Sequence, residues 1–538
     1  MRGTLSVLLS VSAASLLVSP VSAQTQTAHQ HGLQRLGTVE FHVGCNAAAQ
    51  AEFNTAMALY HSFAWPQAVG AFTAIARTDP TCGMAHWGHA MSILENPFAW
   101  PAVFTPARLD SVVAALDAAE AAGLKSKREQ DYVAAVGVFV RGHATKPYPE
   151  RIKAFDAAMA SLMAAYPDDT EAKILSALIT SANFVPTDKN YTNQLKAAAI
   201  LEPLFKQYPN HPGVAHYLIH SYDYPPIADK GLPAAKAYAL IAPDAPHALH
   251  MPSHIFTRVG YWKDSIAANR GSARVSSESV FDGHHATDYM VYAHLQLAQD
   301  AAARQAMAAS RARPAVDNFG AAFAYAAMPA RLLLETGDWA GAASLPLDPK
   351  KAAYAWQKYP QAEAINAFAR GIGAARSGNV TAAREEQARL AALRDAAQGA
   401  KLPYWAGQID IQAAIVGALA LCADGKPNDC ITELKAAAAR EDATEKHVVT
   451  PGPLLPAREL LAETLLATNK PADALAEYDA VMKKEPNRYR AIAGAMAAAR
   501  SVGDDKRAKA LAAELVKLGA ESDTPRDSLR EAQEIAAR

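Results

Sequence analysis

The sequence lacks an excess of charge of either sign. Its 52 lysine and arginine residues are balanced by 53 aspartate and glutamate residues, which gives a formal net charge of −1. Proteins that bind nucleic acids or anionic membranes usually carry a basic excess or a polybasic run, because they must neutralise phosphate groups. We therefore predict no nucleic-acid partner.

Several catalytic motifs are also missing. The sequence contains no glycine-rich phosphate loop, no nucleophile elbow and no setting for a nucleophilic cysteine. The His-Glu-x-x-His motif of zinc hydrolases is absent too, so the usual base of that enzyme class has no local candidate. The motifs leave open whether the protein is an enzyme.

Long apolar runs are confined to the N-terminus. An apolar run over residues 5–18 precedes the small residues Val-Ser-Ala at 21–23, which is the layout of a secretory signal peptide. We predict a signal peptide over residues 1–23 and a flexible leader over residues 24–44. No other stretch of about 18 uncharged apolar residues occurs. The prediction is a soluble exported protein, periplasmic or secreted, without a membrane span.

At 538 residues the chain is too long for one compact core, but a solenoid of repeated units is not subject to that limit. Three segments share a turn between two helical patterns, with a small residue soon after it: residues 256–265, 334–343 and 465–474. They resemble the tetratricopeptide repeat (TPR) family, and the resemblance covers most of residues 45–520. Within that family, the chain resembles exported bacterial proteins that carry His-x-x-x-His in successive repeats.

The resemblance implies an all-α fold, a TPR-like α-solenoid of about eleven helix hairpins. Each hairpin would bury its apolar face only against its neighbours. We divide the solenoid into an N-terminal part, residues 45–345, and a C-terminal part, residues 346–538.

The four cysteines fit this repeat pattern. Cys45 and Cys82 would each precede the first helix of successive hairpins, whereas Cys422 and Cys430 flank a turn. An exported protein can keep disulfides. We predict the bridges Cys45–Cys82 and Cys422–Cys430; isolated buried thiols are the alternative, because four cysteines allow three connectivities.

A histidine pair recurs at the repeat period. His216 and His220 return 34 residues later as His250 and His254, and 34 residues is the length of one TPR unit. Residues at i and i+4 lie on one face of a helix, so the four imidazoles should form a ladder across neighbouring helices.

The TPR register implies which side chains face the concave surface. Five histidines fall at such positions and are predicted metal ligands: His216, His220, His250, His254 and His294. Other residues at such positions are predicted to contact a ligand: His61, Trp87, Asp223, Tyr224, His247 and Arg258. A further pair, His284 and His285, is assigned to a predicted inserted loop that begins at about residue 276 and extends to about residue 283, where the pair either caps the ladder or is exposed.

A transition metal, zinc, copper or iron, would explain the clustering, because neutral imidazole is a common metal ligand. The alternatives are a non-metal ligand site and a purely structural role. The functional hypotheses are a scaffold that binds a protein or peptide segment in its groove and a metal-dependent hydrolase or oxidoreductase acting on a small-molecule substrate. Imidazole nitrogens that converge within about 4 Å of one point would favour metal, and a splayed ladder would favour a peptide groove.

Overall fold

The computed structural model describes residues 35–101, 103–276 and 280–538, without the side chains of Val280 and Phe281. The predicted signal peptide, residues 1–23, and the first part of the predicted leader, residues 24–34, lie outside the described residues.

The described residues form helices, with no strand among them. The α-helices are α1 Ala47–His61, α2 Trp65–Thr78, α3 Gly83–Ile93, α4 Pro106–Ala122, α5 Lys127–Val140, α6 Tyr148–Ala165, α7 Thr170–Ala182, α8 Thr192–Gln207, α9 Pro212–Tyr222, α10 Leu232–Ile241, α11 Pro246–His250, α12 Pro252–Arg258, α13 Trp262–Val275, α14 Val280–Gln296, α15 Asp300–Arg311, α16 Phe319–Thr336, α17 Trp339–Ala343, α18 Pro360–Arg376, α19 Val380–Gly399, α20 Pro403–Ala423, α21 Pro427–Asp442, α22 Ala457–Ala467, α23 Pro471–Lys484, α24 Tyr489–Ser501, α25 Asp505–Leu518 and α26 Asp527–Ala537. Short 3-10 helices occupy Pro97–Ala99, Pro225–Gly231 and Trp356–Lys358.

The turn motifs read from the sequence join the two helices of a hairpin. Gly337 ends α16 with φ of 72°, a left-handed conformation that glycine adopts without steric cost. The side chain of Asp338 then accepts a hydrogen bond from the backbone N–H of Gly341 and caps α17. Consecutive helices pack against each other along the whole described chain. The predicted all-α, TPR-like solenoid is confirmed.

Residues 35–44, the second part of the predicted leader, pack against the first hairpins. Leu36, Val39 and Phe41 are buried in the core of the N-terminal part. The backbone N–H of Thr38 donates to the carbonyl of Asn210 at 2.9 Å. This segment therefore belongs to the compact unit formed by residues 35–538.

Both predicted disulfides are present. Cys45 precedes α1 and pairs with Cys82, which precedes α3. Cys422 near the end of α20 pairs with Cys430 in the first turn of α21. Each bridge therefore joins elements that the helix stacking already places side by side.

The C-terminal helices return to the middle of the chain. The indole N–H of Trp262 donates to the carbonyl of Asn487 at 2.7 Å, and the Asn487 amide donates to the carbonyl of Gly260 at 3.1 Å. The Asp523 carboxylate accepts from two backbone N–H groups in the first turn of α15. The linker between α21 and α22, residues 443–456, is called the crossing segment below, because its Lys446 reaches back to the region of α9.

One described helix, α20, is long and apolar enough to cross a membrane by length and composition, and 56% of its most apolar window is buried inside the protein. It packs against α18, α19 and α21.

Candidate metal centre

Six histidines converge in two groups of three, which we call the first and second triads. The first triad contains His216, His220 and His247, and the second contains His250, His254 and His285. Within each triad the three ligand nitrogens lie within 4.8 Å of one another. Five of these histidines are buried and His247 is half-buried, so the triads lie inside the protein and not on an open groove.

The local helix structure explains the grouping. His216 and His220 lie one turn apart on α9, and His250 and His254 keep the same spacing across the junction of α11 and α12. Pro252 begins α12 and has no N–H to donate, so the two helices are separate there. His247 in α11 joins the first triad, whereas His250, at the end of the same helix, joins the second.

In the first triad the Nε2 atoms face one another. The His216 Nε2 lies 3.1 Å from the His220 Nε2 and 3.2 Å from the His247 Nε2. The His216 Nδ1 donates to the backbone carbonyl of His61 at 2.6 Å, so its Nε2 carries the lone pair. One lone pair cannot accept two good hydrogen bonds at once, but it can bind a metal ion that the other two nitrogens share.

In the second triad two lone pairs point at each other. The His250 Nδ1 donates to the Asn269 side-chain oxygen at 2.6 Å; the Asn269 amide nitrogen donates to the Ser265 carbonyl, which fixes the amide orientation. The His254 Nδ1 donates to the Asp223 carboxylate at 2.9 Å. Both Nε2 atoms are therefore acceptors in the neutral rings, and they lie 3.0 Å apart.

Burial lowers the pKa of each of the six imidazoles below its ordinary value, so the rings are neutral near pH 7. Two facing lone pairs repel each other unless a cation lies between them. Nitrogens bound to one tetrahedral metal ion at about 2.0–2.1 Å are about 3.3 Å apart, which is close to the spacing in both triads.

A buried ion-pair group supports the second triad. Asp223 accepts from the Arg258 guanidinium at 2.8 Å and from the Lys446 ammonium at 3.1 Å. Although burial alone would raise it, these two cations hold the pKa of Asp223 well below its usual range. Burial, followed by the neighbouring Arg258, lowers the pKa of Lys446 to about 8. The crossing segment therefore covers the site through the ion pair between its Lys446 and Asp223, the residue that orients His254.

Aromatic rings fix the imidazole planes. Phe98 stacks on His220 with ring centroids 3.9 Å apart, and Phe63 contacts His216 at 4.3 Å. Tyr289 packs against His250 at 4.8 Å and donates its hydroxyl to carbonyls of the crossing segment. The 3-10 helix Pro97–Ala99, which carries Phe98, thus forms one wall of the first triad.

The two triads are neighbours. The rings of His220 and His254 have centroids 6.2 Å apart, and so do the rings of His247 and His250. Ions bound in the two triads would therefore lie close to each other inside the protein.

The predicted residue His61 lies in a third cluster behind the first triad. Its Nε2 lies 2.9 Å from a Glu171 carboxylate oxygen, and the His211 Nε2 lies 2.8 Å from the other oxygen. Burial alone would raise the pKa of Glu171, but the two histidines lower it below its usual range. Instead of facing a groove, His61 positions His216 through its carbonyl.

Three other predicted residues lie away from the triads. Trp87 is buried against Phe41 and Tyr132, so it packs in the core and does not face the groove. The hydroxyl of Tyr224 accepts from Gln194 at 3.1 Å. His294 bonds to the Gln299 side chain and lies nine residues beyond His285, about 13 Å along the same helix, so it is not in either triad.

The sequence prediction did not assign His285 to the metal site. Helix α14 begins before it, so the residue lies on a helix and not in a loop. The interval from His247 to His285 is 285 − 247 = 38 residues, which is the 34-residue period plus one helical turn of four. The neighbouring His284 bonds to Ser310 and to the carbonyl of Pro314, outside the triads.

A cavity of about 100 Å³ is lined by Arg258 and Lys446 and by none of the six triad histidines; these two residues connect it to the second triad through Asp223. Phe323, Tyr404 and Trp405 contribute aromatic walls. The side-chain oxygens of two lining glutamines, Gln361 and Gln412, are buried and have no hydrogen-bond partner among the described residues.

Comparisons with known proteins add little at this point. No protein-family model matches the sequence, and no curated protein matches it. Many solved chains align with this one, and three of them serve as examples, each with a low TM-score. The crystal structure of the yeast Tom70 is 12% identical, with a TM-score of 0.30 over 91% of this chain and 89% of that chain. The P58(IPK) TPR domain is 11% identical, with a TM-score of 0.20 over 86% of this chain and 99% of that chain. The structure of Naa15/Naa10 bound to HypK-THB is 13% identical, with a TM-score of 0.25 over 91% of this chain and 79% of that chain.

Proposed function

We propose that this protein is an exported, metal-dependent solenoid protein and that each triad binds one transition-metal ion. The observation that carries the proposal is the pair of facing lone pairs on His250 and His254, 3.0 Å apart, with both Nδ1 atoms committed to acceptors. A metal ion bound by both nitrogens removes the repulsion between them.

The hydrogen bonds behind the ligands support the same proposal. A metal-binding histidine usually donates its other ring N–H to a carboxylate, carbonyl or amide oxygen, which fixes the tautomer. His216, His250 and His254 each have such a partner.

Burial argues against the peptide-groove hypothesis for these histidines. A peptide that lies in a groove needs open access to the side chains that recognise it. The triads are instead enclosed by the aromatic walls and by the crossing segment, whose Lys446 bonds to Asp223. A metal-dependent enzyme is the second candidate function, and the cavity beside Arg258 and Lys446 favours it.

Export is supported by the apolar N-terminal run over residues 5–18 and by the two disulfides, which persist in oxidising compartments. The measurement is fractionation of cells that express the full chain. We expect the processed protein, with both bridges formed, outside the cytoplasm. Full-length, reduced protein in the cytoplasm would contradict this part of the proposal.

The metal proposal is tested by elemental analysis of the mature protein purified without a histidine tag. We expect two ions per chain in the wild type and one in each double variant, His216→Ala with His220→Ala and His250→Ala with His254→Ala. The control is His86→Ala with His89→Ala, a pair close in sequence that lies outside both triads. Metal-free wild-type protein that takes up no added zinc, copper or iron would overturn the proposal.

A further inference from the structure

We propose that the ions are copper in the monovalent state and that the pair binds and reduces one dioxygen molecule. The proposal depends on the function proposed above, since it requires both triads to hold metal. It adds the identity of the ions and the substrate on which they act.

The donor set narrows the choice of metal. Each triad supplies three imidazole nitrogens and neither a carboxylate nor a thiolate. Imidazole ligands suit zinc, copper, iron and nickel, whereas calcium, magnesium and manganese prefer oxygen. Several metal ions are therefore compatible with three imidazole ligands. We use the charge of the site to choose among them.

Neither triad contains a negatively charged ligand that would neutralise a divalent ion. All six ligands are neutral rings, and Asp223 is already paired with the two cations Arg258 and Lys446. Two divalent ions would repel each other four times as strongly as two monovalent ions at the same separation. The penalty for burying an ion also rises steeply with its charge. Among metals that bind imidazole, copper is the one that is readily monovalent.

The two triads are placed for a shared ligand. The helix pair α11 and α12 contributes His247 to one triad and both His250 and His254 to the other. Rings from opposite triads approach to 6.2 Å at two places. The proposal requires the two ions to lie close enough for one molecule of two atoms to contact both.

The reaction balances without another reactant. Each monovalent copper ion gives one electron, and dioxygen accepts the two electrons to become a bound peroxide dianion. The pair carries a charge of 2 × (+1) = +2 before the reaction and 2 × (+2) − 2 = +2 after it. The total charge of the buried centre therefore stays constant, and no compensating ion has to enter.

The experiment uses the mature full chain, stripped with a chelator and loaded with monovalent copper under anaerobic conditions. Copper content is measured first, then dioxygen uptake with an electrode, then the electron paramagnetic resonance (EPR) spectrum. We expect two copper ions per chain and one dioxygen consumed for every two. We also expect no EPR signal, because two divalent copper ions bridged by peroxide have coupled spins.

Three variants accompany the wild type. His247→Ala and His285→Ala each leave one triad with two ligands, and dioxygen uptake should fall by at least about tenfold in both. His294→Ala is the matched control, a histidine of α14 outside the triads, and should behave as the wild type.

The outcomes separate this proposal from the one on which it rests. If the wild type binds no metal ion, both the proposed function and the present proposal are overturned. The present proposal alone is overturned if the wild type binds two zinc ions tightly and does not retain monovalent copper. It is also overturned if the wild type binds two copper ions but takes up no dioxygen. Uptake in His247→Ala or His285→Ala equal to that of the wild type, or an EPR signal of isolated divalent copper, overturns the pairing of the ions.

Discussion

At the scale of single residues, the side chains that accept the Nδ1 protons of the triad histidines determine which ring nitrogen is available to a metal ion. The amide of Asn269 receives the Nδ1 proton of His250 and is itself fixed by Ser265. It is buried in α13, a helix that supplies no ligand to either triad. The tautomer of one ligand is thus set from the second helix of the hairpin, a position that a search for histidines would pass over.

We expect Asn269→Ala to weaken metal binding in the second triad by about 10- to 100-fold, because His250 loses the partner that holds its Nδ1 proton. The first triad should keep its affinity. Titration against a chelator of known affinity measures both. Ser272→Ala, at an equally buried position in α13, is the control. Equal weakening of both triads, or none, would contradict the prediction.

At this scale the sequence singled out four of the six triad histidines as candidate metal ligands and placed a fifth, His247, among the groove-facing residues. The 34-residue spacing identified His216, His220, His250 and His254 as one group, because the helical periodicity of each pair is visible in a short stretch of sequence. The next repeat, aligned through Gln299 and Asp300, offered His294 at a groove-facing position, whereas the second triad contains His285. An insertion before α14 shifts the register of that repeat, and the 34-residue period does not show by how many residues.

At the scale of helices and linkers, the two disulfides differ in the length of chain that they close. The bridge Cys45–Cys82 spans 37 residues and Cys422–Cys430 spans 8. In the chain-entropy account, closing a longer loop restricts the unfolded chain more.

Replacing Cys45 and Cys82 by serine should lower the free energy of unfolding by about 4 kcal/mol, whereas replacing Cys422 and Cys430 should lower it by about 2.5 kcal/mol. Denaturant unfolding followed by circular dichroism gives both values. If the shorter bridge stabilises the protein more, strain or residual structure outweighs loop entropy, and the prediction is wrong.

The contact between the two helices that flank the crossing segment introduces a pH dependence. Glu441 at the end of α21 accepts from the backbone N–H of Ala457 at the start of α22, at 2.8 Å. Burial raises the pKa of Glu441 from 4.5 to about 7. The folded state therefore binds a proton more tightly than the unfolded state, and stability falls as pH rises from about 4.5 through 7.

Glu441→Gln retains the acceptor but cannot ionise. Its melting temperature should exceed that of the wild type at pH 8 and equal it near pH 4.5. Melting curves across this range measure the difference between the two proteins, in which the other titrating groups cancel. A constant difference at all pH values would show that Glu441 does not titrate in this window.

At the scale of the whole molecule, metal binding should stabilise the hairpins that surround the triads. Ions that bind only the folded state add about 2.7 kcal/mol when their concentration is 100 times the dissociation constant. We expect slower amide hydrogen exchange in α9, α11, α12 and α14 and in the crossing segment when metal is added.

Helix α26, at the far end of the chain, should change least, since it contacts neither triad. Hydrogen exchange followed by mass spectrometry makes the comparison. Uniform protection of all helices would contradict a local effect.

The hairpin turns could be predicted from the sequence because residues such as Gly337 and Asp338 act within one turn. The return of the C-terminal helices could not. The contact between Trp262 and Asn487 joins residues that are 225 positions apart, and no local pattern specifies it. For the same reason the sequence predicted an open groove, whereas the crossing segment covers the triads.

The division of each triad between neighbouring hairpins also bears on how this chain can evolve. Solenoids ordinarily gain and lose whole repeats, because each unit contacts only its neighbours. Here α11 and α12 serve both triads, so deleting or duplicating that one hairpin would remove or separate ligands of both. The repeats after α14 are constrained as well, because the crossing segment must reach Asp223 and the C-terminal helices must reach Trp262. We therefore expect both the order of the hairpins that begin with α9, α11 and α14 and the number of repeats that follow them to be restricted.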